Sequence, residues 1–228
     1  MRSLLLVAPD DDAALARATA SGADALVLDL ADRDRDTCRR ALATLGSTQM
    51  ARSFVRVRLT TEITATLDVV MPARPRGVLL AGTTGGADVT RLSALLRPRE
   101  ALAGIADGAT RIVAMASDTP RSLLAAASYA GASECLIGLA WDIDALSRAL
   151  AVHDTGDLAR HARTTVLLAA AAAGVAAVDR PYDGNDVKLL EEEAQAARAT
   201  GFTGKLAVHA DQVPVINAVF SRRAASSS

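Results

Sequence analysis

Short apolar runs alternate eight times with segments of helical periodicity, and no other feature limits the possible folds so strongly. The runs are Ser3–Val7, Ala25–Leu30, Ser53–Val57, Gly77–Ala81, Arg111–Ala116, Cys135–Ala140, Ala176–Asp179 and Lys205–Val208. Each is apolar on nearly consecutive residues, which suits parallel strands covered on both faces. Helical patterns lie between and after them, at Asp11–Ser21, Asp36–Leu45, Thr61–Val70, Asp88–Leu96, Pro120–Ala130, Ile143–Ala151, Ala159–Ala173 and Asp186–Thr200. Gly22, Gly131, Gly174 and Gly201 fall just past helix ends, where a left-handed residue is wanted. With no linker or shift in composition, the alternation predicts an α/β protein, a single (β/α)8 TIM barrel over residues 1–220. Residues 221–228 read as a disordered tail. An open doubly wound sheet would want a glycine-rich turn after an early strand, and Val7-Ala8-Pro9-Asp10 is not one.

Composition narrows the partners. Lys and Arg number 25 against 26 Asp and Glu, so no overall field draws nucleic acid or an anionic membrane to the chain. Aromatic residues make up 3% of the chain, too few for base-stacking platforms. Cys38 and Cys135 are the only cysteines, which excludes a disulfide scaffold and a cysteine-rich zinc module. The apolar stretch after Met1-Arg2-Ser3 is too short for a signal peptide, and Val166 to Val178 is too short to span a bilayer. The cytoplasm is the expected compartment.

In such a barrel the working residues sit at the C-terminal ends of strands and in the loops that follow. Those positions hold Asp10, Asp29, Asp32, Arg56, Arg58, Thr83, Thr84, Ser117 and Asp118 in the first five units. The last three hold Trp141, Asp142, Asp144, Asp179, Tyr182, Asp183, His209 and Asp211. Carboxylates with one or two arginines on a rim suit Mg²⁺ holding an oxyacid. Arginine grips a carboxylate with two prongs, which lysine cannot match. Any single Asp here also fits a helix cap, above all Asp118 before Thr119-Pro120 and Asp142 before a helix. Arg56 is harder to place that way, because it interrupts the apolar run Phe54-Val55-Arg56-Val57. A Schiff-base lysine at the strand tops is absent, since Lys188 lies on a helix and Lys205 opens strand 8. Gly-x-Ser-x-Gly, P-loop and His-Glu-x-x-His motifs are absent too.

Several segments taken in order resemble one family. They are Arg2-Ser3-Leu4-Leu5, Ser21-Gly22-Ala23-Asp24-Ala25-Leu26-Val27-Leu28-Asp29-Leu30, and Val55-Arg56-Val57. Ser128-Tyr129-Ala130-Gly131-Ala132-Ser133 and Gly138-Leu139-Ala140-Trp141 follow, then Gly201 to His209 and Gln212 to Asn217. As a set they resemble the citrate lyase β-subunit-like (HpcH/HpaI aldolase) superfamily. The resemblance implies a TIM barrel, commonly a homotrimer or homohexamer, that cleaves or forms C–C bonds in 3-hydroxyacyl thioesters such as malyl-, citramalyl- or citryl-CoA. It also implies Mg²⁺ and arginine holding a small oxo acid while an enolate forms. Carried onto this chain, the catalytic residues are Arg56, Asp29 and His209, and the metal ligands Asp118 and Asp142, or Asp144. Arg58, Trp141, Tyr182, Thr83 and Thr84 are the expected substrate contacts.

The departures from the family pattern lie at the chemistry. Leu-Asp-Leu-Glu-Asp reads Leu28-Asp29-Leu30-Ala31-Asp32, and the lysine of Leu-Pro-Lys is lost at Leu80-Ala81-Gly82. The glutamate of the strand 5 Glu-Thr motif is Asp118, which draws a ligand oxygen back by a methylene. The glutamate of the strand 6 Gly-Ala-Glu-Asp-Leu segment aligns with Trp141, and Arg58 replaces the asparagine of Arg-Val-Asn. His-Pro reads His209-Ala210, and the sequence stops soon after strand 8 and a short helix, before the extension that helps close the site in many members. These changes make the pocket more positive than the family's. Three readings follow: a metal-dependent C–C lyase, a barrel reused without metal for a different small anionic or polyketide-like ligand, or a catalytically inactive binding or structural homologue.

Overall fold

Eight parallel strands close in sequential order into a barrel, the last pairing with the first. They are β1 (Ser3–Val7), β2 (Ala25–Asp29), β3 (Phe54–Arg58), β4 (Gly77–Ala81), β5 (Arg111–Met115), β6 (Leu136–Ala140), β7 (Ala176–Asp179) and β8 (Gly204–Ala207). The computed structural model describes residues 1–153 and 156–221. Closure is made by Ser3, Leu4 and Leu5 of β1 against Lys205, Leu206 and Ala207 of β8. The α/β barrel expected from the alternation is therefore the fold. Among the described residues no helix is long and apolar enough to cross a membrane.

Alternation along each strand produces two cores. Leu4, Val27, Phe54, Leu79, Val113, Met115 and Leu206 fill the barrel interior. Their strand neighbours, among them Leu5, Leu28, Val55, Leu80, Ala114 and Leu139, pack outward against the helices. Those helices are α1 (Asp12–Ala20), α2 (Arg35–Met50), α3 (Ile63–Val70), α4 (Gly86–Ala103), α5 (Pro120–Leu124), α6 (Asp144–Leu150), α7 (Gly156–Ala173), α8 (Val187–Thr200) and α9 (Gln212–Ser221). Asp11, Asp34, Thr119 and Asp186 cap α1, α2, α5 and α8 through their side chains. The four glycines expected past helix ends all have positive φ, from 66° to 111°.

Some boundaries differ from the sequence reading. The helix expected over Pro120–Ala130 is a short α5 followed by a 3₁₀ turn at Ala126–Tyr129. Helix α2 runs past the expected Leu45 to Met50, bending where Gly46 has φ 68°. Helix α4 runs from Gly86 to Ala103 and carries Pro98 within it. Of the expected tail, Ser221 ends α9, and residues 222–228 lie outside the described residues.

One charged group is built into the layer between barrel and helices. Lys205 of β8 is fully buried, and its Nζ donates to Asp179 Oδ2 at 2.9 Å. Glu193 Oε2 of α8 lies 3.5 Å from the same Nζ. Removing one partner of such a group strands the other charges away from water. Lys205→Met therefore lowers the unfolding free energy by about 3 kcal/mol in urea titrations followed by circular dichroism. Arg39→Ala, which breaks an exposed pair with Asp36 on α2, leaves it unchanged.

Candidate functional site

The mouth at the C-terminal ends of the strands is organised by strand register. Asp29 at the end of β2 is the register partner of Arg56 on β3. Each lies two or more residues along its strand from an interior side chain, Val27 and Phe54, so both point inward. Arg56 Nη1 donates to Asp29 Oδ2 at 2.8 Å, and Asp29 Oδ1 accepts from the Ala31 amide at 3.2 Å. Two residues on, Arg58 Nε donates to Asp32 Oδ2 at 3.1 Å. Asp32 reaches it from a left-handed backbone conformation, φ 62°.

Asp118 joins this group through β4. It is 5% exposed, and its Oδ2 accepts from the Gly82 amide at 2.7 Å. Gly82 suits the position because its φ is 68°, and a Cβ there would displace the Arg58 guanidinium, whose Nη1 would lie 2.7 Å away. The capping role open to Asp118 is taken by Thr119, whose hydroxyl accepts from the Ser122 amide. Thr119 Oγ1 also donates to the Thr83 carbonyl at 2.8 Å, tying the loops after β4 and β5 together. Thr83 itself is buried, donating to the Met115 carbonyl and sharing hydrogen bonds with the Ser122 and Tyr129 hydroxyls.

The backbone of Asp142 is held by a reciprocal latch to Ser117, the residue before Asp118. Ser117 Oγ donates to the Asp142 carbonyl at 2.7 Å and accepts from the Asp142 amide at 2.8 Å. Burial pushes the Asp118 carboxyl above its ordinary pKa, opposed by the charges of Arg56, Arg58 and Arg148 and by the Gly82 hydrogen bond. Burial pushes Asp142 up as well, and the neighbouring charges of Asp144 and Asp118 add to it. Two desolvated carboxylates that repel one another form a natural seat for a cation. Among the described residues no group of three or more His, Cys, Asp or Glu is placed to hold a metal. Mg²⁺ commonly takes one or two carboxylates and completes its shell with water and substrate oxygens, so Asp118 and Asp142 fit that ion.

Of the other predicted residues, Asp144 touches this cluster, its amide donating to Asp142 Oδ1 at 3.4 Å, and the rest make their contacts elsewhere. Trp141 is buried in the barrel–helix layer, where its Nε1 donates to Asp179 Oδ1 at 2.8 Å. Tyr182 belongs to the same outer layer and accepts from Gln212 Nε2 through its carbonyl. Exposed Thr84 donates to Asp88 Oδ2 at the start of α4, and Asp144 is an exposed residue opening α6. His209 lines a cleft of about 180 Å³ with Val7, Ala8, Arg17 and Ala18. The sequence reading missed Gly82, Tyr129 and Arg148. A glycine directly after an apolar strand was the available signal for the first, Tyr129 lay within a segment that resembles the family, and Arg148 carried none.

Comparison with known proteins bears on the family and the fold. The sequence profile described as HpcH/HpaI aldolase/citrate lyase matches residues 2–210. A citrate lyase subunit beta-like protein of Mycobacterium tuberculosis is 34% identical over 134 residues, 55% of this chain. The match spans 49% of that relative's length. A (3S)-malyl-CoA thioesterase of Cereibacter sphaeroides is 30% identical over 96% of this chain and 77% of its own. The structure of the M. tuberculosis citrate lyase beta subunit complexed with oxaloacetate and magnesium superposes with a TM-score of 0.79 at 27% identity, covering 96% of each chain.

The raised carboxyl pKa values set a pH dependence. Between the unfolded value and the higher folded value the native state binds more protons. The two groups therefore favour the fold at low pH, and that contribution is lost as pH rises through the folded values. Asp118→Asn, which keeps an acceptor for Gly82, raises the melting temperature at pH 8, and the gain shrinks as pH falls toward the ordinary carboxylate range. Thermal melts at a series of pH values check this.

Proposed function

The chain belongs to the HpcH/HpaI aldolase/citrate lyase family, and from that premise we propose that it acts on CoA-linked oxo acids as a carbon–carbon lyase or thioesterase. The observation that carries the reading is the inward pair of Arg56 and Asp29 beside the desolvated Asp118 and Asp142. Malyl-, citramalyl- or citryl-CoA is the substrate type we assign.

Arg56 gives one N–H to Asp29, which fixes the guanidinium plane and leaves further N–H groups for a substrate carboxylate. Arg58 gives Nε to Asp32 and likewise keeps its terminal nitrogens for an anion. Both guanidinium groups are partly buried, and they stabilise charge as it develops on an enolate oxygen better than they would in open water. The charge is held without reorganisation, because Asp29 and Asp32 have already oriented the donors. Asp118 and Asp142 would hold Mg²⁺, which when bound polarises the oxygens of an oxo acid. The Gly82 amide keeps the Asp118 carboxylate oriented, and the Ser117 latch does the same for the backbone of Asp142.

A second reading, a metal-independent site for a small anion, draws on the three arginines that act on Asp118. Calorimetric titration separates the two. Under the first reading Mg²⁺ binds more tightly with oxaloacetate present, and Asp118→Ala abolishes the effect. Arg56→Lys, which cannot offer two parallel N–H groups, weakens oxaloacetate binding by about tenfold or more. Oxaloacetate binding that is indifferent to Mg²⁺ supports the second reading and overturns the first.

A further inference from the structure

A cleft of about 250 Å³ opens outside the barrel, between α7 and α8. Its lining includes Trp141, Arg160, Arg163, Asp179, Arg180 and Glu193. Small residues on the two facing helices, Ala159 and Ala196, leave it open. None of these side chains takes part in the Arg56–Asp118 cluster.

The charges of the cleft are unbalanced. Among the described residues Arg160, Arg163 and Arg180 line it and Lys205 lies beneath, against Asp179, Glu193 and the Asp157 that pairs with Arg160. Asp179 and Glu193 are already served from below by Lys205, at 2.9 Å and 3.5 Å. Asp179 accepts the Trp141 indole as well, and Glu193 accepts Arg180 Nη2 at 3.0 Å. Arg163 is held in place by Thr200 Oγ1 at 2.9 Å and by the Phe202 ring, 5.0 Å from its guanidinium carbon. Its Nε lies 3.7 Å from Asp179. Among the described residues Arg160 pairs with Asp157, and both are so exposed that the pair holds the guanidinium weakly. A net positive charge, carried on three arginines around a pre-formed hollow, suits a phosphate group, whose oxygens arginine grips with parallel N–H donors.

We propose that the α7–α8 cleft binds a phosphate-type anion, at a site separate from the barrel mouth. The ligand is either free phosphate or the terminal group of a phosphate monoester. Arg163 and Arg180 supply the fixed donors and Arg160 closes over the anion from α7.

Trp141 is the only tryptophan in the chain and lines the cleft, so its fluorescence reports on occupancy. The full chain is titrated with inorganic phosphate and, separately, with glycerol 3-phosphate, against sodium chloride of equal ionic strength. A saturable change beyond the chloride control is expected, with the tighter of the two probes identifying free phosphate or a monoester. Arg163→Gln and Arg160→Gln weaken it by about tenfold, while Arg58→Gln, at the mouth, leaves it intact. Arg160 is 79% exposed, so its replacement tests binding without threatening the fold. A response no larger than with chloride overturns the proposal. So does one that survives both cleft variants, or one that Arg58→Gln removes.

Discussion

Strand register in the closed barrel is the constraint on which the rest depends. Parallel pairing sets Asp29 opposite Arg56 and Asp179 opposite Lys205. Side-chain alternation then sends the first pair into the mouth and the second out into the helix layer. A slip of one residue would reverse the fate of the pair concerned, placing Arg56 among the helices or Lys205 in the barrel interior. The same ion-pair chemistry thus serves two ends: one pair orients a partly exposed guanidinium at the mouth, the other neutralises charge in a dry interior.

The loops above the strands carry the remaining positions, and hydrogen bonds between neighbouring loops hold them. Gly82 after β4 holds Asp118 after β5, and Thr119 reaches back to the carbonyl of Thr83. Beneath them the hydroxyls of Thr83, Ser122 and Tyr129 form a buried cluster, each with at least one partner. Ser117 then passes the same order on to Asp142 after β6. Satisfied bonds of this kind fix the Asp118 carboxylate and the Asp142 backbone in settings where burial disfavours the charged carboxylates.

Much of this was legible in advance for a physical reason. Continuous apolar runs mark strands covered on both sides, and an arginine inside one of them must be paired or functional, as Arg56 is. Capping was less legible. Asp118 and Thr119 are both good caps by chemistry, and only the approach of Gly82 decides that Thr119 caps while Asp118 turns to the mouth. Trp141 and Tyr182 sit at strand ends where substrate contacts are expected, yet both pack into the outer layer. At a strand's last residues a one-position difference reverses the direction of the side chain, and periodicity does not fix the strand's end that finely.

The sequence by itself determined the barrel, the order of its units and the family, because each follows from local apolar patterning and from motifs contiguous in the chain. It also determined that arginine and aspartate would meet at the mouth. The tertiary structure alone decided which aspartates do so, and that a second cluster of arginines gathers between α7 and α8. Those outcomes rest on contacts between residues far apart in the chain, such as Gly82 with Asp118 and Lys205 with Asp179. Such contacts exist only once the strands have closed in register.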